Sequence, residues 1–304
     1  MKSDLHFHSK YSDGSQWPEE IVKRAKTIGF EMLALTDHDT MAGVGDFMQA
    51  CNQEGIKGIP AVEIDFDGSE FDFRSELLAY FPGGAYNNTK KILDRIQEGR
   101  RQLAISVIGK FAEQYGCDGL SIDDLIPQKI GNKERFFNTA DISITKRDLF
   151  LYFLARIKDF GYCDTNDEYK RFHKEVSRGE KTVLKPALKE LLSIVRSDGG
   201  FPVMAHPADN YEKNIERMRS ERDKCLMLFK NLKEVGLWGI EMHSYSAYTR
   251  DTLNLFFKDV AKETGLNITY GSDSHGKGDK DLMGVFFGDF NGFILGQLIG
   301  FIKC

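Results

Sequence analysis

The stretch Asp4-Leu5-His6-Phe7-His8, followed by Ser9-Lys10-Tyr11-Ser12-Asp13-Gly14, decides how the rest of this chain reads. Side chains alternate across a strand, so His6 and His8 leave one face together while Leu5 and Phe7 leave the other. A turn containing Gly14 brings the Asp13 carboxylate back toward the two imidazoles. Nitrogen and oxygen donors gathered in this way begin a divalent metal site. A lone His-x-His is as readily a solvated surface strand, so the reading depends on further donors elsewhere. They are present: of seven histidines, all but His173 lie at or just past an apolar, strand-like run.

Outward from that strand, Trp17-Pro18-Glu19-Glu20 opens a helix, because proline suits a first turn and carboxylates suit its positive end. Ile21, Ala25 and Ile28 form its buried stripe and Gly29 stops it. Met32-Leu33-Ala34-Leu35 reads as a strand ending in Thr36-Asp37-His38-Asp39-Thr40. A helix over 43–54, a strand through Ile59-Pro60-Ala61-Val62 into Glu63-Ile64-Asp65-Phe66, and a strand over 75–80 with Glu76 near its start follow. From 88 the pattern turns helical: 88–115 with Arg100 and Arg101 midway, a short helix from Ser121, 146–160 closed by Gly161, and 166–176. Strands resume at 200–205, ending in His206-Pro207, and at 238–243 and 267–275, with helices 214–235 and 249–265 between them. Short strands alternating with helices mark a parallel sheet or barrel. The simplest architecture is one α/β barrel, residues 1–84 and 197–304, interrupted by an all-helical insertion, 85–196, that caps the substrate.

In such a barrel the strand ends converge on one rim, where active sites are built. His6, His8, Asp13, His38, Glu63, Glu76, His206, Asp273 and His275 all fall at or near predicted strand ends. Taken in order, His6-x-His8, Asp13, Thr36-Asp37-His38-Asp39-Thr40, Glu63, Ala205-His206-Pro207 and Ser272-Asp273-Ser274-His275 resemble the polymerase-and-histidinol-phosphatase (PHP) family of metal-dependent phosphoesterases. The resemblance covers both barrel halves and implies a distorted (β/α)7-type barrel. The helical insertion, with Gly161-Tyr162 and Gly199-Gly200-Phe201-Pro202, resembles the branch acting on nucleotide phosphates and short oligonucleotides.

Carried over by position, the resemblance implies two to three divalent ions, Mn, Zn or Fe. His6, His8, Glu63 and Asp273 would hold the first. Glu63, His206 and Glu76 would hold the second, and Asp13, His38 and His275 the third. Glu76 stands where the family commonly has His. Three divalent ions against the carboxylates of Asp13, Glu63, Glu76 and Asp273 leave a surplus of about two positive charges, which suits an anionic phosphoryl group. A water between two such ions ionises near neutral pH, so no protein nucleophile is needed.

Asp37, Asp39 and Asp65 read as supporting or solvated groups, and His173, among Lys and Arg, as a solvated helix face. For substrate, Lys146 and Arg147 sit at a helix start, where N–H groups and a guanidinium fork suit phosphate. Arg100 and Arg101 are second candidates, although an exposed helix face explains them as well. His243 ends a strand as the ligands do, and it could contact substrate phosphate or protonate a leaving oxygen as a catalytic acid.

Composition limits the alternatives. A net charge of -5 provides no footprint for tight, non-specific nucleic-acid binding. Five scattered cysteines without CxxC spacing argue against a disulfide framework or a thiolate zinc site. The apolar run 292–302 is too short to span a bilayer, and Asp4, His6 and His8 stand where a secretory signal would need apolar residues. The expectation is a cytoplasmic enzyme with no membrane association and no obligate protein partner. It would hydrolyse a phosphate ester of a nucleotide, a nucleoside monophosphate or 3',5'-bisphosphate. The alternatives are a histidinol-phosphatase-like small-molecule phosphatase, an exonuclease on short oligonucleotides, and a catalytically silent metal-binding regulatory module.

Overall fold

The computed structural model describes residues 1–131, 139–156, 165–179 and 185–289. The first half runs β1 (Lys2–Phe7), α1 (Pro18–Ile28), β2 (Met32–Leu35), α2 (Val44–Glu54), β3 (Lys57–Asp65), β4 (Glu76–Tyr80). A helical series follows: α3 (Asn87–Tyr115), α4 (Ile122–Ile130), α5 (Lys146–Arg156), α6 (Thr165–Gly179) and α7 (Leu188–Ser197). The second half is β5 (Phe201–Met204), α8 (Ile215–Ser220), α9 (Arg222–Glu234), β6 (Gly239–His243), α10 (Arg250–Thr264), β7 (Asn267–Gly271) and the short β8 (Gly288–Asp289). The expected ends of the 146–160 helix, Gly161-Tyr162 and the 292–302 run lie outside the described residues. The single helix expected over 214–235 is two, α8 and α9, broken at Glu221 (φ -102°, ψ 17°).

Local chemistry explains the elements. The Glu20 carboxylate accepts the Trp17 backbone N–H at 2.8 Å, one turn back, and α1 ends on Gly29 in the left-handed region, φ 87°. Ile21, Val22 and Ala25 of α1 are buried against Leu33, Leu35 and Phe47, each large side chain contributing about 1.5–3 kcal/mol.

The strands pair in the order β7-β6-β5-β4-β3-β2-β1-β8. Beyond β7 the chain docks on β1: Asp273 N–H donates to the His6 carbonyl at 2.8 Å and His8 N–H to the Ser274 carbonyl at 2.9 Å. β1 to β7 therefore form a nearly closed barrel. The expectation of a parallel sheet or barrel needs correction at β4, which is antiparallel to both β3 and β5. The β3–β4 connection carries only a short 3-10 turn, Ser69–Phe71, and a chain that returns without a crossover helix pairs antiparallel. The reversal puts the start of β4, and thus Glu76, on the rim where the parallel strands end.

A second correction concerns β1. Its pairing with β2 slips between Asp4 and Phe7, so Leu5 and Phe7 do not share a layer. Leu5 packs inside the barrel with Met32, Ala34, Ala61 and Tyr80, whereas Phe7 packs outside under α1 and α2.

The helical series has its own core. Val107, Ile108 and Phe111 of α3 pack with Leu125 of α4, Phe153 of α5 and Phe172 of α6, Phe111 and Phe153 stacking at 3.8 Å. Tyr11 and Trp17, from the loop after β1, belong to this core. The first turns of α3 (Ile92, Leu93, Ile96) and the buried face of α7 (Leu188, Leu191, Leu192, Val195) pack on the barrel instead. No described helix is long and apolar enough to cross a membrane. Cys51 and Cys225 are buried, which pushes their thiols up to about 12 and about 11.

Candidate metal centre

Four donor atoms meet where β1, β3 and the end of β7 converge. His6 Nε2 and His8 Nε2 are 3.2 Å apart, and Glu63 Oε2 lies 3.2 and 3.3 Å from them. Asp273 Oδ1 lies 3.5 and 3.0 Å from the same nitrogens. Ligands ~2.0–2.1 Å from one tetrahedral ion stand about 3.3–3.4 Å from each other, so these spacings match a shared cation.

Two flanking groups complete the nine. His206 Nε2 is 3.1 Å from both Glu63 Oε1 and Glu76 Oε2, and His38 Nδ1 is 3.2 Å from Glu63 Oε2 and 3.8 Å from Glu76 Oε1. On the other side Asp13 faces His275 Nε2 (3.2 Å), His38 Nε2 (3.7 Å) and His8 Nδ1 (3.8 Å). All nine expected donors thus come together, His206 through its contacts with Glu63 and Glu76, and His8 joins the Asp13 group as well.

Hydrogen bonding tests whether cations fit. His275 Nδ1 donates to the Asp273 carbonyl at 2.9 Å, a group that can only accept. In the neutral ring Nε2 then presents a lone pair to the Asp13 carboxylate, and two acceptors face each other across a gap that suits a cation. Asp13 Oδ1, Glu63 Oε2 and His275 Nε2 are buried without a hydrogen-bond partner. The residues fit a divalent metal.

The charge pattern agrees. Burial pushes the His8 imidazole down, but the neighbouring carboxylates of Asp273 and Glu63 override it and raise the group to about 10. His6, His38 and His206 are likewise raised against burial, mainly by Glu63. Burial would raise the Asp13, Glu63 and Asp273 carboxyls, yet His38 beside Asp13, and His6 beside the other two, hold all three well below their ordinary range. Protons and divalent cations compete for the same concentrated negative charge.

The supporting groups come from the loop after β2, from α3 and from the end of β3. Asp37 accepts Ser9 N–H (2.7 Å) and the hydroxyls of Ser9 and Ser12 (both 2.6 Å), which holds the turn carrying Asp13. Asp39 accepts the Arg100 guanidinium, which also reaches Asp65 at 3.1 Å. Arg100 is therefore tied by two carboxylates while it lines the cleft. Asp39, His206 and Asp273 have φ of 53°, 23° and 54°, left-handed values that non-glycine residues hold only where surroundings compel them.

Two residues went unnoticed in the sequence. Glu241 on β6 accepts His6 Nδ1–H at 2.7 Å and His206 backbone N–H at 2.8 Å, orienting two of the expected donors at once. Its signal was present, since Glu241 and His243 share a strand face. Asp4, two residues before His6, accepts Ser272 N–H (3.0 Å) and the Ser272 hydroxyl (2.6 Å), locking the barrel's closure. Gly271 is required between them: a Cβ there would lie 2.2 Å from His6 Cβ and 2.3 Å from Glu241 Oε1.

His243 Nδ1 lies 3.4 Å from the other Glu241 oxygen, with its ring 5.3 Å from that of His206 and 4.8 Å from Tyr245. Asp13, His38 and Glu76 form the floor of a cleft of about 520 Å³ whose walls include Lys146, Arg147, Phe150 and Tyr169. His173 is no solvated face: it is half-buried, its ring 5.8 Å from Tyr169, and burial together with Lys146 pulls its imidazole down to about 4.

These features can be set beside known proteins. The chain is 28% identical over 282 residues, 92% of its length and 90% of the other's, to a 3',5'-nucleoside bisphosphate phosphatase of Chromobacterium violaceum. It is 25% identical over 285 residues, 91% of its length and 95% of the other's, to a phosphoribosyl 1,2-cyclic phosphate 1,2-diphosphodiesterase of Eggerthella lenta. A solved structure from Bifidobacterium adolescentis, described as a candidate metal-dependent phosphoesterase, shares the fold with a TM-score of 0.72 at 20% identity, covering 98% of this chain and 96% of that one. The PHP domain family matches residues 4–231, and the chain belongs to that family.

Proposed function

We propose that this protein is a metal-dependent phosphoesterase that hydrolyses a phosphate ester of a nucleotide, a nucleoside monophosphate or 3',5'-bisphosphate. One observation carries the reading: His6, His8, Glu63 and Asp273 present four donor atoms at the spacing of a single cation's shell, beside a cleft with basic walls. His6, His8, Glu63 and Asp273 would hold the first ion, Glu63, His206 and Glu76 the second, and Asp13, His38 and His275 the third. Mn, Zn and Fe all suit this sulfur-free donor set, and such ions supply Lewis acidity toward phosphoryl oxygens and acidify water.

The chain's own residues do the rest. Lys146 is pulled down by burial and by the like charges of Lys170 and Lys174, so an arriving phosphate relieves repulsion that is already present. Arg147 on the same first turn adds a fork of donors. Phe150 offers a ring face to a nucleobase in the same cleft, with the buried Tyr169 ring packed behind it, centroids 5.4 Å apart. Glu241 keeps the proton of His6 on Nδ1, leaving Nε2 as a donor of electrons, while its other oxygen is held by the His206 backbone N–H. In this arrangement the barrel, 1–84 and 197–304, holds the reacting centre, and the helical part, 85–196, grips the remainder of the nucleotide.

The test is metal analysis of purified protein with a phosphate-release screen over nucleotides. Release abolished by chelator and by His6→Ala or Asp273→Asn is expected. Turnover that survives those changes refutes the proposal, and histidinol phosphate hydrolysed in preference to nucleotides would favour the small-molecule alternative.

A further inference from the structure

Lys129, on α4, is buried to within 7% of its side chain, unusual for an ammonium. Its neighbours along the helix, Ile122, Leu125, Ile126 and Ile130, sink into the helical core, whereas Lys129 turns toward the loop after β1. There its Nζ donates to the carbonyl of Ser12, to the carbonyl of Ser143 at 2.9 Å and to Asp148 Oδ2 at 2.5 Å. An ammonium has three N–H groups, so all are used within the protein and none is left for a substrate.

The three acceptors belong to separate parts of the site. Ser12 immediately precedes Asp13, and its hydroxyl is held by Asp37, immediately before His38. Ser143 N–H donates to the Tyr11 carbonyl at 2.8 Å, a further tie to the same loop. Asp148 Oδ2 also accepts the N–H and hydroxyl of Thr145, both at 2.8 Å, which fixes the start of the helix that carries Lys146 and Arg147. Lys10 of the loop reaches the Ile130 carbonyl at 3.2 Å, next to Lys129, so the connection is doubled.

We propose that Lys129 is a positioning residue: by joining Ser12, Ser143 and Asp148 it fixes how far the Asp13–His38–His275 donors stand from the Lys146–Arg147 wall. Its removal loosens one cation site and the phosphate grip together, although Lys129 hydrogen-bonds to none of those five side chains. The phosphate arm of this inference rests on the phosphoesterase reading; the metal arm does not.

The experiment titrates chelator-stripped Lys129→Met with Mn2+ by calorimetry and measures phosphate release from 5'-AMP, both well below the melting midpoint. The weakest class of Mn2+ sites is expected to lose about tenfold in affinity while the tightest keeps its value. KM is expected to rise roughly fivefold, and Lys129→Arg, which keeps a charged donor, to recover most of both losses. A lower melting midpoint with a wild-type Mn2+ isotherm and KM means that Lys129 is structural only and overturns the inference. Should Lys129→Met fail to fold, Asp148→Asn keeps shape and weakens the same junction; wild-type behaviour there overturns the inference equally. If the wild type itself releases no phosphate from any nucleotide, the phosphoesterase reading fails while the Mn2+ comparison still decides the role of Lys129.

Discussion

Replacing Glu241 by Gln changes one atom of the structure and reverses one proton. The His206 backbone N–H, 2.8 Å from Glu241 Oε2, can only donate, so the amide oxygen of a glutamine must take that place. The amide NH2 then faces His6 Nδ1 across 2.7 Å and donates to it. That moves the ring proton to Nε2, the nitrogen within 3.2–3.5 Å of His8, Glu63 and Asp273. The wrong tautomer must be displaced before a cation can bind. Loss of an orienting carboxylate behind a metal-ligating histidine typically weakens metal binding or activity 10–100-fold, about 1.4–2.7 kcal/mol. Burial would raise the Glu241 carboxyl, but His6 and His243 hold it at about 2, so it is charged at any working pH and the substitution also removes a full negative charge. The assay is competition of Mn2+ or Zn2+ between Glu241→Gln and a calibrated chelator, followed by phosphate release at saturating metal. Affinity should fall by that factor, with activity partly restored by excess metal. Affinity within twofold of wild type would refute the tautomer argument.

Three other perturbations follow from the same geometry. Asp4 is raised from 3.8 to about 6, first by burial, so the folded state holds its proton more tightly; stability is full below 3.8, is lost as pH rises through 6, and is roughly 3 kcal/mol lower at pH 7. Asp4→Asn can keep the bonds to His6, Ser272 N–H and the Ser272 hydroxyl, so denaturant melts of chelator-treated protein should lose this slope between pH 4 and 6. Gly271→Ala forces a methyl against His6 and Glu241 and should destabilise the fold by about 1–3 kcal/mol, measured by denaturant midpoint, with weaker metal binding alongside. Arg147→Ala should raise KM for a nucleotide about tenfold, worth about 1.4 kcal/mol, in steady-state kinetics without altering metal content.

The chain's own order of residues determined much. Alternation put His6 and His8 side by side, the periodic runs placed the strands and helices, and the polar donors at strand ends, taken with the family resemblance, named the nine residues that the structure gathers. Such features are local: they follow from the pitch of a strand or helix and from the chemistry of caps and turns, and so can be read without knowing the partners. Only the tertiary structure decided the rest. The reversal of β4 brings Glu76 to the rim, the slip in β1 separates Leu5 from Phe7, and Glu241, Asp4 and Lys129 acquire roles from groups 35, 268 and 117 residues away. A carboxylate or an ammonium looks the same in sequence whether water or a buried partner satisfies it, and burial, which the fold alone sets, is what turns that difference into energy.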